Sequence, residues 1–305
     1  MKKNKFFAIL IAVFVTLLWA SSYILNKIVF NESVIGPLTL SGLRYLIASI
    51  SIATAIFMWR SFRHERERTD RIQLNWLQYM LLGFFGFFLA QGMQYVGQFF
   101  ITPTQTSLIL CLGNILIVLF IDVFWLKEIK NRAVYYFAFG VAISVLVYYY
   151  PWNLSLADII GVLFVLLSSV GYAIHLSYSR HVIANKQMRV EDVVVKPMLI
   201  GAFLLLVIGF SMEPFPTLKL KSYFIILWLG VINGGVAFYL WGLTQKFLKA
   251  YESSMINNLI LIEVALMDIW ILHSSISITQ AIAICFTAIF IILIQFVRTK
   301  AEGAH

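Results

Sequence analysis

Long apolar runs separated by short polar breaks dominate this chain from one end to the other. A hydrocarbon layer of ~30 Å takes about 20 helical residues to cross. Reading for runs of that length predicts ten helices, near 6–29, 37–59, 76–99, 104–126, 133–150, 157–178, 194–211, 222–245, 254–272 and 278–297. The breaks hold helix-stopping residues: Gly36-Pro37, Thr102-Pro103, Pro151, and Pro214 with Pro216. Lys2, Lys3 and Lys5 ahead of the first run imitate a secretory signal. That run continues to Val29 and further spans follow, so it reads as a retained helix.

The pattern repeats itself. Asp122-Val-Phe-Trp-Leu-Lys-Glu128, ending the fourth run, aligns with Asp268-Ile-Trp-Ile-Leu-His-Ser274, ending the ninth. In register with these, Ser107 pairs with Ser253, and Cys111-Leu112-Gly113-Asn114 with Asn257-Asn258-Leu259-Ile260. Gly83 and Gln98 match Gly230 and Gln245, and the first and sixth runs set Tyr23 against Tyr172 and Asn26 against His175. The repeats are read as residues 1–150 and 151–305, the second with a short tail. Five spans is an odd number, so the second unit enters the membrane upside down. Inverted repeats of this kind are a recurring design of secondary transporters, because two near-equivalent halves can exchange roles.

Composition agrees with a lipid solvent. Hydrophobic residues are 61% of the chain and charged residues 12%, against roughly 45–50% and about 25% in soluble domains. The net charge of +9 suggests a nucleic-acid partner until the charges are placed. They fall in the short loops, clustered on one side: the amino-terminal lysines, Arg60 to Arg71, Lys127 to Arg132, Arg180 to Lys196, Lys246 with Lys249, and Arg298 with Lys300. Of the 23 basic residues only Lys27, Arg44, Lys219 and Lys221 lie elsewhere. That alternation predicts a multi-pass protein of the bacterial inner membrane with both termini cytoplasmic. Cys111 and Cys285 both fall in apolar runs, with no disulfide or metal spacing.

Leu17-Leu-Trp19-Ala-Ser-Ser22 in the first run and Pro37-Leu-Thr-Leu-Ser-Gly-Leu-Arg44-Tyr45 opening the second resemble the EamA-type drug/metabolite transporter superfamily. Gly83-Phe-Phe-Gly86 and Lys127-Glu128 carry the same resemblance, which covers residues 6–297. It implies an all-α membrane protein, two inverted five-helix repeats around a central cavity, and alternating access. It leaves the substrate open, since the family includes exporters, uptake systems and exchangers. The chain departs from the family pattern where Glu-Pro is common in the fourth and ninth helices, holding Asn114-Ile115 and Ile260-Leu261. His273-Ser274 stands where the second repeat commonly ends in Gly-Glu.

Polar groups inside a bilayer are costly and tend to line cavities or meet partners. Those at helical spacing share a face. The first run offers Trp19, Ser22, Tyr23 and Asn26; the third, Gln91, Gln94, Tyr95 and Gln98; the fourth, Ser107, Cys111, Asn114 and Asp122. The sixth adds Ser168, Tyr172, His175 and Ser179, the eighth Asn233, Trp241 and Gln245, and the ninth Asn257 and Asn258. The plainer reading makes such residues glue between helices. Glu263 is the sharpest candidate, a carboxylate mid-way along the ninth run, suited to holding a proton or countering an amine; His175 is its candidate partner. Asp122 and Asp268, at matching repeat positions, are candidate gate or coupling groups, with interfacial hydration as the alternative. Arg44 reads as structural, pairing with an outer carboxylate such as Glu32.

Aromatic faces from Trp19, Tyr23, Tyr95, Tyr172 and Trp241 beside a carboxylate suit ammonium groups. The candidate stripes carry no Lys or Arg at mid-depth, which disfavours phosphate esters and nucleotide sugars. The expectation is a secondary transporter of a small polar metabolite (amino acid, amine or amphiphile), working as an exporter, with uptake or exchange of a cationic amine as the alternative. A coupling proton or counter-substrate, and a monomer or homodimer, are compatible with it. No cofactor, metal, nucleic-acid partner or enzymatic activity is expected: no nucleophile elbow, ATP-binding loop or metal site is recognisable.

Overall fold

The computed structural model describes residues 2–63, 74–121, 131–184, 190–244, 247–248 and 256–302. Asp122, Lys127-Glu128, Gln245 and Ser253, together with much of the basic loop sequence, lie outside the described residues. Among the described residues ten helices follow one another: α1 (Lys2–Glu32), α2 (Pro37–Arg63), α3 (Trp76–Phe100), α4 (Pro103–Ile121), α5 (Ala133–Tyr148), α6 (Leu156–Ala184), α7 (Val190–Met212), α8 (Leu220–Thr244), α9 (Leu259–Leu272) and α10 (Ile278–Glu302). Seven are long and apolar enough to cross a membrane. Within the described residues α4, α5 and α9 are shorter, at 19, 16 and 14 residues. A turn at Asn258 interrupts the ninth run before α9 begins.

Local chemistry sets many of these ends. Side chains at the starts of α3, α4, α6 and α10 bond reciprocally with the backbone three residues on: Asn75 with Gln78, Thr102 with Gln105, Ser155 with Asp158 and Ser277 with Gln280. Each such capping box satisfies amides that the first helical turn leaves orphaned. At the other end of α9, His273 takes the left-handed conformation (φ 55°, ψ 33°) that commonly closes a helix.

Two helices depart from regular α geometry. The middle of α3, Phe84–Gly92, and of α8, Leu229–Val236, widen into π-helical turns. They occupy matching places in the two repeats. Glycines at Gly83, Gly86 and Gly92, and at Gly230, Gly234 and Gly235, accompany both. Wide turns of this kind shift every following side chain around the helix and are frequent at functional sites.

The main packing pairs map onto one another when five is added to or subtracted from each helix number. α2 packs on α7 and α5 on α10. α6 packs on α3 as α1 packs on α8; α6 on α4 as α1 on α9; α2 on α8 as α7 on α3. This is the contact pattern of two five-helix units of one fold, placed antiparallel because five crossings reverse direction. Backbones approach closely where side chains are small: a Cβ on Gly97 would sit 2.8 Å from the Gly161 carbonyl oxygen, joining α3 to α6. Large apolar side chains point outward, Trp270 being 85% exposed and Phe203 66%, as a lipid-facing surface requires.

Both termini lie on one face of the bundle, called here the terminal face. The turns after α1, α3, α5, α7 and α9 make the far face.

Candidate functional site

The far face is tied shut by polar bonds, many of them between repeats. Asp268, near the end of α9 and 1% exposed, accepts from the Thr104 amide (3.1 Å) and hydroxyl (2.5 Å), and from the Ser274 hydroxyl (2.7 Å). It therefore caps α4, the helix that Pro103 opens. Glu213, just beyond α7, does the same for α2: it accepts from the amides of Leu38 and Thr39 (both 2.8 Å) and the Thr39 hydroxyl (2.6 Å). A carboxylate at a helix N-terminus is favoured by the orphaned amides and the helix dipole. Each cap joins a helix of the second repeat to one of the first. A two-residue bridge between Val34 and Thr217, the Ser33–Ser222 hydroxyl pair and the Lys221–Glu32 ion pair (2.6 Å) add to the seam.

Beneath that rim lies a second polar layer. Asn26 Nδ2 donates to Gln98 Oε1 (3.1 Å), and Gln98 Nε2 to the Tyr23 carbonyl (2.5 Å). Lys27 Nζ donates to the carbonyls of Gln98, Phe99 and Ile101 at 3.1–3.3 Å, neutralising the end of α3. Arg44 Nη1 donates to the Tyr95 hydroxyl (2.5 Å), and its guanidinium lies 5.3 Å from the Tyr45 ring centre and 5.9 Å from that of Tyr95. Tyr45 in turn donates to Gln91 Oε1 (2.6 Å). Arg44 does not meet Glu32, whose partner is Lys221.

Toward the middle the packing loosens. Tyr172 shares the inward face of α6 with Val165 and Ser168, which are 0% and 1% exposed, yet is itself 42% exposed. Gln94, Cys111 and Asn114 are half-buried, and Asn114 Oδ1 meets no hydrogen-bond partner among the described residues. Glu263 Oε1 accepts from the Thr16 hydroxyl at 3.0 Å, while its Oε2 is buried without a partner among the described residues. The pair belongs to the α1–α9 seam.

Other candidates hold helices together. Trp19 packs at a tilt against Phe238 and Trp241 (5.4 and 5.1 Å between ring centres) and donates to the Asn233 carbonyl, filling the α1–α8 seam. Ser22 bonds the Trp19 carbonyl within its own helix, and Ser168 bonds that of Ala90. His175 Nδ1 lies 3.2 Å from the Leu82 carbonyl oxygen and its ring meets Phe87 edge-on, in the α3–α6 seam. Its polar contact is thus Leu82, as that of Glu263 is Thr16. Asn257 is half-buried just ahead of α9. Two apolar grooves, of ~520 and ~310 Å³, run along the outer surface of α1 and α8, apart from the polar interior.

Thr16, Ser41, Tyr45, Thr104 and Glu213 were not singled out from sequence. The proline-opened starts at Pro37 and Pro103, each followed within two residues by threonine, were the available sign of capped helix ends.

A ten-helix membrane bundle of two inverted units, with unpaired polar groups at mid-depth, has the plan of a carrier. The chain belongs to the EamA-like transporter family, which matches residues 6–150 and again 159–296. It is a multi-pass membrane protein of the drug/metabolite transporter superfamily. A solved crystal structure resembles it over 96% of this chain and 95% of its own, at 18% identity and a TM-score of 0.65, so the two share a fold. No curated protein matches it in sequence.

Proposed function

We propose that this chain is a secondary transporter that exports a small polar metabolite (an amino acid, amine or small amphiphile) by alternating access. The two units, residues 1–150 and 151–305, rock against each other about the central hollow. The observation that supports it is Tyr172, 42% exposed on a face of α6 whose other members Val165 and Ser168 are buried, below a far-face layer of Asn26, Arg44, Gln98, Thr104 and Asp268 that is 0–5% exposed. With the terminal face cytoplasmic in a bacterial inner membrane, as the basic loops support, this is a cargo-loading state for export. Tyr23, Gln94, Tyr95, Asn114 and Tyr172 surround the cargo. Glu263, with one carboxylate oxygen on Thr16 and the other unmatched, is the coupling candidate, taking and releasing a proton as the α1–α9 seam shifts.

Purified protein in sealed liposomes tests the proposal. Amino-acid or amine flux above empty vesicles, dependent on a pH gradient and independent of ATP, is expected. Absence of flux for every member of an amino-acid and amine panel, in either direction, would reject transport of this class. Reporter fusions at both ends locate the termini, and an extracytoplasmic signal from either would overturn the orientation.

A further inference from the structure

The outer surface of α1 and α8 carries a long apolar groove that ends in positive charge. Its far-face part is walled by Leu25, Leu220, Phe224, Ile225 and Trp228, with Lys221 at the mouth, and encloses about 520 Å³. The deeper part, about 310 Å³, shares Leu25 and Trp228 and runs on along α1 from Ile28 to Phe14. Fourteen residues of helix span about 21 Å, more than the ~15 Å that is half of a ~30 Å hydrocarbon core. Ser21, the polar member of the deeper wall, spends its hydroxyl on the Leu18 carbonyl (2.7 Å). At the mouth Lys219 and Lys221 are both exposed, on a face otherwise poor in basic residues. Lys221 meets Glu32 at 2.6 Å with its side chain 62% exposed, and an ion pair so open to solvent is worth little. Lys219 forms no ion pair among the described residues, so two cations face one carboxylate.

We infer that this groove binds an anionic phospholipid of the leaflet on the far side, with an acyl chain lying along α1 and α8 past Trp228 and the phosphate held by Lys219 and Lys221. The inference rests on the membrane-spanning fold and is independent of the cargo proposed above. A lysine lays its stem on an apolar wall and lifts its charged head to the headgroup level. Each lysine so placed favours an anionic lipid by about fivefold. A second copy of this chain fits the mouth less well, because it would have to bring a carboxylate to Lys219. Among the described residues the acidic side chains of the far face are already engaged: Glu32 by Lys221, Asp158 by Ser155, Glu213 by the start of α2 and Asp268 by Thr104. A free phosphate would meet the lysines and leave the groove empty. Because α1 and α8 belong to different repeats, a chain laid across both favours the arrangement in which their far ends are together.

The test titrates delipidated full-length protein in detergent with dioleoylphosphatidylglycerol, dioleoylphosphatidylcholine or glycerol 3-phosphate. Bound lipid is counted by native mass spectrometry, and stabilisation is read as a shift in melting temperature. The basic loops of the terminal face attract anionic lipid as well, so the difference between variants carries the result. The double variant Lys219→Gln/Lys221→Gln is expected to lose one tightly held phosphatidylglycerol, with about tenfold weaker apparent affinity at that site, while phosphatidylcholine binding stays as it was. Leu25→Trp, which fills the groove where its two parts meet, is expected to lose the same lipid with both lysines in place. If Leu25→Trp does not fold, Leu220→Trp on the 73% exposed rim makes the same test. Unchanged phosphatidylglycerol retention in the lysine double variant, or in the groove-filled variant, would overturn the site. Glycerol 3-phosphate stabilising as well as phosphatidylglycerol would reduce it to a free-phosphate site. A dimer of the lipid-free protein that Leu25→Trp disperses would give the groove to a second copy, and either result rejects the lipid.

Discussion

Helix α9 carries two acidic side chains five residues apart, and they live in opposite conditions. Asp268 is 1% exposed and receives three hydrogen bonds, two from Thr104 and one from Ser274. Glu263 receives one, from Thr16, and leaves its second oxygen buried and unmatched. The first is a fastener. Its bonds point along the helix axis at the start of α4, where orphaned amides welcome an anion and no further group is needed. The second is unfinished, and on the proposed transport cycle an unfinished carboxyl in the seam between the two units is where a proton can be gained or lost. The comparison teaches that depth and residue type do not by themselves distinguish the two carboxylates; the count of satisfied lone pairs does.

Removing the fastener sets the largest expected effect. Asp268→Ala leaves the Thr104 and Ser274 donors buried and empty, and is expected to cost about 3 kcal/mol of stability, given ~1–3 kcal/mol for each buried group left unpaired. It also loosens the far face, measured as faster thiol labelling of a cysteine introduced at Ser274 than in the same cysteine variant with Asp268 intact. A smaller loss, about 1–2 kcal/mol, is expected for Glu213→Ala, which strips the cap from α2. If Glu213→Ala proves the more damaging, the far-face closure is organised around α2 and α7 rather than α4 and α9.

His273→Gly acts in the other direction. Its backbone is left-handed at φ 55°, a conformation that costs a residue with a Cβ roughly 1–2 kcal/mol. Glycine there is expected to raise stability by about 1 kcal/mol, tightening the Asp268 end of α9; an unchanged melting temperature would remove that position from the account. The smallest stability change is expected at the unfinished carboxyl. Glu263→Gln keeps the shape and the Thr16 contact and should shift stability by less than about 1 kcal/mol. Its effect appears in function, as loss of gradient-dependent flux, with wild-type pH dependence in the variant counting against coupling through this residue.

The fold was legible in the sequence to an unusual degree. Apolar run length located the ten helices, and the reading of two repeats agrees with the family's double match over residues 6–150 and 159–296. The candidate stripes were legible only as faces. Gln98 and Asn26 came out of separate stripes and meet each other, whereas Trp19 and His175, from equally plausible stripes, settle into helix seams. Periodicity names the side of a helix a residue occupies; it is silent on which neighbour that side meets. The wide turns in α3 and α8 add a further reason, since they rotate Gln94, Tyr95 and Gln98 relative to Gln91 in a way that a regular 3.6-residue repeat does not anticipate.

What the chain determined on its own is the number, length and alternation of its crossings. Lipid offers no partners to a backbone, so each span must be helical and apolar within itself, and that demand is written locally. What the tertiary structure alone decided is the fate of each polar group. Whether Arg44 meets Glu32 or a tyrosine, and whether Asp268 faces water or caps a helix, depends on contacts between residues far apart in sequence, and such contacts arise only when the two units pack against each other.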